Sequence, residues 1–417
     1  MTGPSPSARD VRMRGFTQRA PVEAVWQWLE QVAPPLAEEW VALDDAPGRV
    51  LTRAVTAPEP VPPFPRSAMD GYALRGEETV GAGDYNPLAF SLAGEALPGK
   101  AFEGTVAPGA AVRIMTGAPV PDGADAVVPV EYAREGSTGV EVTAAVPPRK
   151  NVGPLGEDVA AGEVLLEPGR RLRPQDVGLA ASLGRDRLAV VRRPRARLLV
   201  TGNELAPPGG ERGPAQIYDA NSAMLRGLAA RDGGVLAGVH RVADDPRAIG
   251  DLLGEPGADV VIVTGGSSVG AEDHAPHLVA TLGELAFHGV AMRPSAPTGM
   301  GRVGDRLVFL LPGNPVSCLA AWDLFAGRAL RTLGGRPADL PHRTVTGPLA
   351  GKIASAIGRV DYCRVALGSD GVTPIALSGA SILSSTTRAD GFVLVPADSE
   401  GYGVGSEVTV RLYDASG

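Results

Sequence analysis

The chain has 417 residues, 44% of them hydrophobic, and carries 39 lysines and arginines against 47 aspartates and glutamates, a formal net charge of −8. That length exceeds one ordinary core and predicts roughly two to four domains, while the acidic balance excludes bulk binding to nucleic acid or to an anionic membrane. The 55 glycines and 38 prolines stay short of the about 25–30% that marks low-complexity chain, and point to many short strands and turns.

Residues 1–18 read as a disordered lead-in with no apolar signal core. Pro21 at a first helical position opens a helix to about Val32, with Val25, Trp28 and Leu29 at helical spacing. A second helical piece is expected at Val41–Ala46, cut by Pro47-Gly48. Five prolines between Pro58 and Pro65 predict an extended connector at a domain crossing. From Ala68 to about Val146, short apolar runs separated by glycine predict an all-β module, with strands at Gly71–Leu74, Val112–Met115, Ala126–Val128 and Val140–Val142. Residues 148–192 read as β-rich, with a short helix at Val177–Leu183 and a strand at Leu188–Val191. The arginines 185, 187, 192, 193, 195 and 197 that follow read as solvated strand edges and a domain joint rather than an anion funnel.

Residues 197–335 alternate strand and helix. Three apolar runs, Arg197–Val200, Val260–Val263 and Leu307–Leu311, each stop at a small polar loop that opens a helix. Runs buried on both faces suit a parallel sheet, and in an open sheet the ligand crevice lies beyond the carboxyl ends of the strands. The loops Thr201–Glu204, Thr264–Gly270 and Pro312–Pro315 are therefore expected to converge on one edge, with glycines that let backbone N–H groups approach an anion. Asn221 is expected to cap one helix and Asn314 another, the latter with Pro315 in the first turn. From about Pro337, alternating segments at Arg364–Leu367, Phe392–Val395 and Glu407–Leu412 predict a small β-barrel or sandwich. Cys318 falls in the apolar helix and Cys363 in a strand. Two isolated thiols form neither a disulfide framework nor a zinc motif. No run reaches the ~18 apolar residues of a membrane span, and a reducing cytoplasm is the expected compartment.

Several carboxylates sit in turns rather than on helix faces: Asp70, Asp158, Glu204, Asp244, Asp245 and Asp273. Each alone suits an Asx turn or cap. Together, beside glycine loops, they suit a divalent metal bridging a phosphate ester. Thr264–Gly270 lacks the Walker lysine and the dinucleotide spacing, so an anion there must be held by amides, by the hydroxyls of Thr264, Ser267 and Ser268, and by an arginine such as Arg293. The pair His274 and His277, split by Pro276, is a weak metal signal.

The segments Ser67–Ala73, Arg113–Pro119, Gly123–Val128, Gly156–Asp158 and Leu311–Ser317, in this order, resemble the molybdopterin molybdenumtransferases, the MoeA and gephyrin E-domain family. The resemblance runs from about residue 20 to the C-terminus. It implies a multidomain α/β and β protein: a linking and dimerisation domain from 1–57 plus 148–192, an inserted β module at 58–147, an α/β molybdopterin-binding domain at 193–335 and a C-terminal β-barrel at 336–417. The implied reaction consumes adenylylated molybdopterin and molybdate with Mg²⁺ or another divalent cation, and yields molybdenum cofactor and AMP. A homodimer is implied, with the crevice of one subunit completed by the inserted module of the other; the upstream adenylyltransferase and recipient molybdoenzymes are the protein partners expected.

Carried over by position, Asp70, Asp158, Glu204 and Asp273 match catalytic positions, and Asp70, Asp158 and Asp273 the metal-holding ones. Thr116, Thr201, Asp244, Gly265, Gly266, Ser267, Ser268, Arg293, Pro312, Asn314, Arg364, Ser384 and Ser385 match substrate-binding positions. The chain departs from the family where its usual Lys-Pro-Gly-Lys-Pro reads Arg293-Pro294-Ser295-Ala296-Pro297. One cation survives as arginine and the second is lost, a change of about 1–3 kcal/mol near a doubly charged anion. Weaker oxyanion capture, compensation elsewhere and a preference for tungstate all remain open. Two rival readings are a cofactor carrier or scaffold with weak catalysis, and an adenylyltransferase acting one step earlier; the inserted module and C-terminal domain argue against the second.

Overall fold

The computed structural model describes residues 19–266 and 273–413. The expected lead-in at 1–18 and the loop hydroxyls of Ser267 and Ser268 lie outside them. The chain divides into two compact units, one of residues 41–47 and 53–188 and one of the remaining residues.

In the first unit a six-stranded sheet runs in the order Ala126–Pro129, Gly71–Leu74, Ala110–Ile114, Leu88–Ala96, Gly139–Val142, Ala133–Gly136. Its strands alternate between two apolar clusters, Tyr72 and Leu74 facing one and Ala73 the other, as the period of two in a pleated strand requires. Short pairs join Arg66–Ser67 to Val152–Gly153 and Val55–Thr56 to Val164–Leu166. The one α-helix of this unit among the described residues is Pro174–Ser182. Asp176 in its first turn accepts from the Arg173 backbone N–H at 2.9 Å and from Arg170 Nη2 at 2.8 Å.

The second unit is built on a six-stranded sheet: β1 Arg195–Thr201, β2 Val235–Val242, β3 Val260–Thr264, β4 Glu284–His288, β5 Gly299–Val303 and β6 Arg306–Leu311. Their order is β2-β1-β3-β6-β5-β4. The first four are mutually parallel, and β5 runs antiparallel to both β6 and β4. Leu198, Ile262 and Phe309 face helices Val22–Val32 and Asn221–Arg231 and the long helical span that follows β6. Leu199, Val261, Val263 and Val308 face helices Pro246–Gly254 and Ala275–Leu282. Both faces are covered, so the strands are apolar without alternation, and each such side chain contributes about 1.5–3 kcal/mol on burial.

The span after β6 is α-helical over Pro315–Ala321, widens to a π-helix over Trp322–Ala326, and returns to α over Gly327–Leu333. The widened turn places Trp322 and Asp323 in the interior. The C-terminal sheet runs Met292–Arg293, Val360–Gly368, Gly391–Val395, Glu407–Leu412, Thr344–Pro348, with Gly371–Ala376 also paired to Val360–Gly368. Its apolar cluster is mainly valine, including Val365, Val393, Val395, Val408 and Val410.

Three local expectations change. Arg197, read as a solvated strand edge, is buried, its guanidinium donating to the Leu252, Glu255 and Pro256 carbonyls. Glu38–Ala42 is a strand, and only Leu43–Asp45 winds as a 3₁₀ turn: aromatic Trp40 and β-branched Val41 favour the extended chain, and Pro47 leaves no room for a longer helix. Asn221 is not a cap but the first helical residue; Asp219 takes the capping role, accepting from the Ser222 N–H at 3.0 Å. Among the described residues no helix is long and apolar enough to cross a membrane.

Candidate active site

The carboxyl ends of β1, β3 and β6 lie side by side, Val200 paired with Thr264 and Thr264 with Leu311. The loops leaving them enclose a cavity of about 450 Å³, within the range of small-molecule sites. Thr201 and Glu204 line it from the first loop, Gly265 and Gly266 from the second, Pro312, Gly313 and Asn314 from the third. Asp273, at the far end of the second loop, also lines it. The convergence expected from the three apolar runs is thus present, and of the site residues expected from sequence Thr201, Glu204, Thr264, Gly265, Gly266, Asp273, Pro312 and Asn314 meet there.

The glycines are required by the packing of the loops. Gly265 has φ +88°, and a Cβ there would stand 2.2 Å from the Thr201 carbonyl oxygen. Gly266, at φ +55°, would place a Cβ 3.0 Å from Thr201 Oγ1. The backbone after β3 therefore crosses the end of β1 at a distance that no side chain permits. Asn221 ties two of the loops together: its Nδ2 donates to Thr264 Oγ1 at 2.9 Å and to the Gly313 carbonyl at 2.8 Å. Both donors of the amide are committed. Its Oδ1, like Thr201 Oγ1, is buried with no hydrogen-bond partner among the described residues.

The remaining acids divide by role. Asp244 does not line the cavity; its Oδ2 accepts from the Asn203 N–H at 3.3 Å and so steadies the turn that carries Glu204. Asp245 caps helix Pro246–Gly254 by accepting from the Arg247 N–H at 3.0 Å. Asp219 is buried among Ser222 and Arg241, whose Nε donates to it at 3.2 Å.

In the other unit, Asp70 and Thr116 meet directly. Asp70 Oδ1 accepts from the Thr116 N–H at 2.7 Å and from its hydroxyl at 2.8 Å. The backbone bond first, then the hydroxyl, holds this exposed carboxyl below its ordinary 3.8. Asp70 lines a hollow of about 230 Å³ with Tyr72, Arg113 and Met115. Asp158 is exposed; its N–H bonds to the Val61 carbonyl at 3.0 Å, and it does not line that hollow. Asp70 and Asp158 belong to one unit and Asp273 to the other, so neither unit alone holds the expected metal triad. No group of three His, Cys, Asp or Glu side chains suited to a metal occurs among the described residues, the His274–His277 pair included.

Neither Arg293 nor Arg364 lines the cavity. Arg293 is ion-paired with Asp361, a fully buried carboxylate that also accepts from Arg359 Nε at 3.0 Å and Ser355 Oγ at 2.8 Å. Arg364 is fully buried; its Nη2 donates to the Ser378 carbonyl, while Nε and Nη1 have no hydrogen-bond partner among the described residues. Ser385 Oγ donates to the Ile382 carbonyl at 2.6 Å, and the Ser384 carbonyl accepts from Thr387 Oγ1 at 3.0 Å. Their segment reaches the cavity through Ser381, and the Ala380 carbonyl accepts the Val316 N–H at 2.9 Å. Burial pushes both thiols, Cys318 and Cys363, up to about 12, so they are inert packing groups.

Sequence reasoning missed Asn221 as a bridge between loops, and Ile217, Tyr218 and Ser381 as lining residues. The polar step Tyr218–Asn221 before an apolar helix carried a signal, but it reads locally as a cap. The family positions Ser384 and Ser385 marked the segment, but nothing singled out Ser381 within it.

Three family descriptions match the chain in order: the MoeA N-terminal region (domain I and II) over residues 20–184, a probable molybdopterin binding domain over 197–332, and the MoeA C-terminal region (domain IV) over 346–413. Molybdopterin molybdenumtransferase 2 of Mycobacterium tuberculosis is 37% identical over 384 residues, covering 89% of this chain and 94% of that protein. The molybdopterin molybdenumtransferase of Bacillus subtilis is 31% identical, covering 90% and 89%. The crystal structure of a molybdopterin biosynthesis MoeA protein from Pyrococcus horikoshii superposes with a TM-score of 0.80 at 30% identity, covering 95% of this chain and all of that one.

Proposed function

The chain belongs to the molybdopterin molybdenumtransferase family, and we propose that it inserts molybdate into adenylylated molybdopterin, releasing AMP and forming the molybdenum cofactor. The observation that carries this reading is the cavity at the ends of β1, β3 and β6, where a glycine backbone meets carboxylates, Glu204 and Asp273 among them.

Backbone amides beside Gly265 and Gly266 suit the phosphate of the adenylyl group, as loop amides and helix N-termini suit anions generally. Glu204 and Asp273 fit a hard divalent cation, because Mg²⁺ is commonly held by one or two carboxylates together with phosphate oxygens. When bound, the ion supplies charge neutralisation at the phosphate. Arg364, by its matching position in the family pattern, is the group we assign to the oxyanion, molybdate. Arg293, paired with Asp361, positions its loop instead.

We place the Asp70–Thr116 pair and Asp158 in the crevice of a second copy of the chain, which makes the active form a homodimer working in the cytoplasm between an upstream adenylyltransferase and recipient molybdoenzymes. The four-part division at 1–57 plus 148–192, 58–147, 193–335 and 336–417 belongs to the same proposal.

The test is AMP release from adenylylated molybdopterin by the purified protein, with and without Mg²⁺ and molybdate. Release that needs both supports the transferase. Tight binding of the pterin without release sinks it in favour of a carrier.

A further inference from the structure

We propose that Tyr218 is the stacking platform for a planar heterocycle of the substrate, and hence a specificity-determining residue of the cavity. The inference rests on the function proposed above, and deepens it by assigning a contact to a ring rather than to a phosphate or an oxyanion.

Adenylylated molybdopterin carries two planar heteroaromatic systems, adenine and pterin. Both favour a π-face on which to lie. Among the described residues, those lining the cavity are otherwise hydroxyls, carboxylates, amide, glycine, proline and small aliphatic groups, and Tyr218 is the only aromatic ring among them. It is 48% exposed although it is a large apolar residue, and Ile217 beside it, also lining the cavity, is 56% exposed. Adjacent exposed apolar side chains at the mouth of a polar cavity mark a binding surface rather than a packing position.

The ring is also held in place. Strand Ile217–Tyr218 pairs in parallel with Leu205–Ala206, directly after Glu204. The Tyr218 hydroxyl donates to the Gly210 carbonyl at 3.2 Å. The Arg212 guanidinium carbon stands over the ring, 5.4 Å from its centroid, a cation–π contact that steadies the side chain. Asp219, next in the chain, is buried and bonded to Ser222 and Arg241, which fixes the backbone behind the ring. A rigid aromatic surface of this kind costs little entropy on binding.

The experiment compares wild type, Tyr218→Ala and Tyr218→Phe by titration calorimetry with three probes: AMP, ribose 5-phosphate and molybdopterin. AMP release from adenylylated molybdopterin is measured on the same preparations. Tyr218→Ala is expected to weaken one ring-bearing probe by about tenfold or more, to leave ribose 5-phosphate unchanged, and to raise KM with little change in kcat. Tyr218→Phe, which keeps the ring and loses only an exposed hydrogen bond, is expected to bind as wild type. Loss confined to AMP identifies adenine as the stacked ring, and loss confined to molybdopterin identifies the pterin. The platform is overturned if Tyr218→Ala binds all three probes as wild type does, or if Tyr218→Phe is as impaired as Tyr218→Ala. A wild type that binds AMP yet releases none from the adenylylated pterin counts against the function alone, and the binding comparison still decides the platform.

Discussion

Asn221 Nδ2 lies 2.9 Å from Thr264 Oγ1 and uses its second hydrogen on the Gly313 carbonyl at 2.8 Å. One side chain from the start of a helix thereby fixes the ends of β3 and β6 to each other. Replacing it with alanine removes both bonds and leaves the Gly313 carbonyl without this donor. Asn221→Ala is expected to lose about 2 kcal/mol in urea denaturation and most AMP release. Unchanged stability with unchanged turnover would show that the bridge does not hold the loops.

Gly265 faces a harder constraint than its neighbours. Alanine there must adopt φ near +88° and stand 2.2 Å from the Thr201 carbonyl. The conformation alone costs about 1–3 kcal/mol, and the clash forces the loop outward. Gly265→Ala is expected to abolish AMP release, whereas Gly257→Ala, with similar φ but nothing within 4 Å of the new methyl, should lose only modest stability and keep its turnover. Equal activity in the two variants would refute the close-crossing argument.

Asp273→Asn tests the carboxylate chemistry. The residue is half-buried at the cavity wall, and the amide is close in size to the acid. Its melting temperature should stay near that of wild type while Mg²⁺-dependent AMP release disappears. Retained Mg²⁺ dependence would remove Asp273 from the set that faces the cation.

The Asp70–Thr116 contact predicts a pH signature. Two hydrogen bonds to the ionised form hold the Asp70 carboxyl below its ordinary 3.8 in the folded chain. With a depressed folded value, the contribution of the contact is fully present above the unfolded value and is lost as pH falls through the folded one. Carboxyl titration by NMR should place Asp70 below 3.8. Thr116→Val, which keeps the N–H and deletes the hydroxyl, should move it part of the way back.

A buried charge network joins the helices of the second unit. Asp232 accepts at 2.8 Å from Trp322 Nε1, from Arg331 Nη1 and from Arg231 Nη2. Asp323 accepts from Arg231 Nη2 at 2.8 Å and from the Tyr362 hydroxyl at 3.0 Å. Removing one member of such a set strands the opposite charge in the interior. Asp232→Ala is expected to cost about 3–5 kcal/mol, read by intrinsic tryptophan fluorescence during denaturation. A loss below about 1 kcal/mol, the value of an exposed pair, would mean that water reaches the network.

Much of this protein is determined locally. The runs Val260–Val263 and Leu307–Leu311 are apolar on every residue, which suits only a strand covered on both sides, and the loop after each is small and polar; the sheet and the edge that bears the cavity follow from that pattern. The ordered motifs around Asp70, Thr116, Asp158 and Pro312-Gly313-Asn314 carry the family. What remained illegible depends on partners distant in the chain. Arg293 reads as a cation for an anion until the fold brings Asp361 against it. Asn221 reads as a helix cap until Thr264 and Gly313 arrive from two other loops, and Tyr218 reads as a strand residue until the cavity forms beside it. Local sequence sets which backbone conformations are cheap and which faces must be buried. The partner of a charged or polar side chain is chosen by the whole fold, because its free energy depends on which groups share its desolvated surroundings.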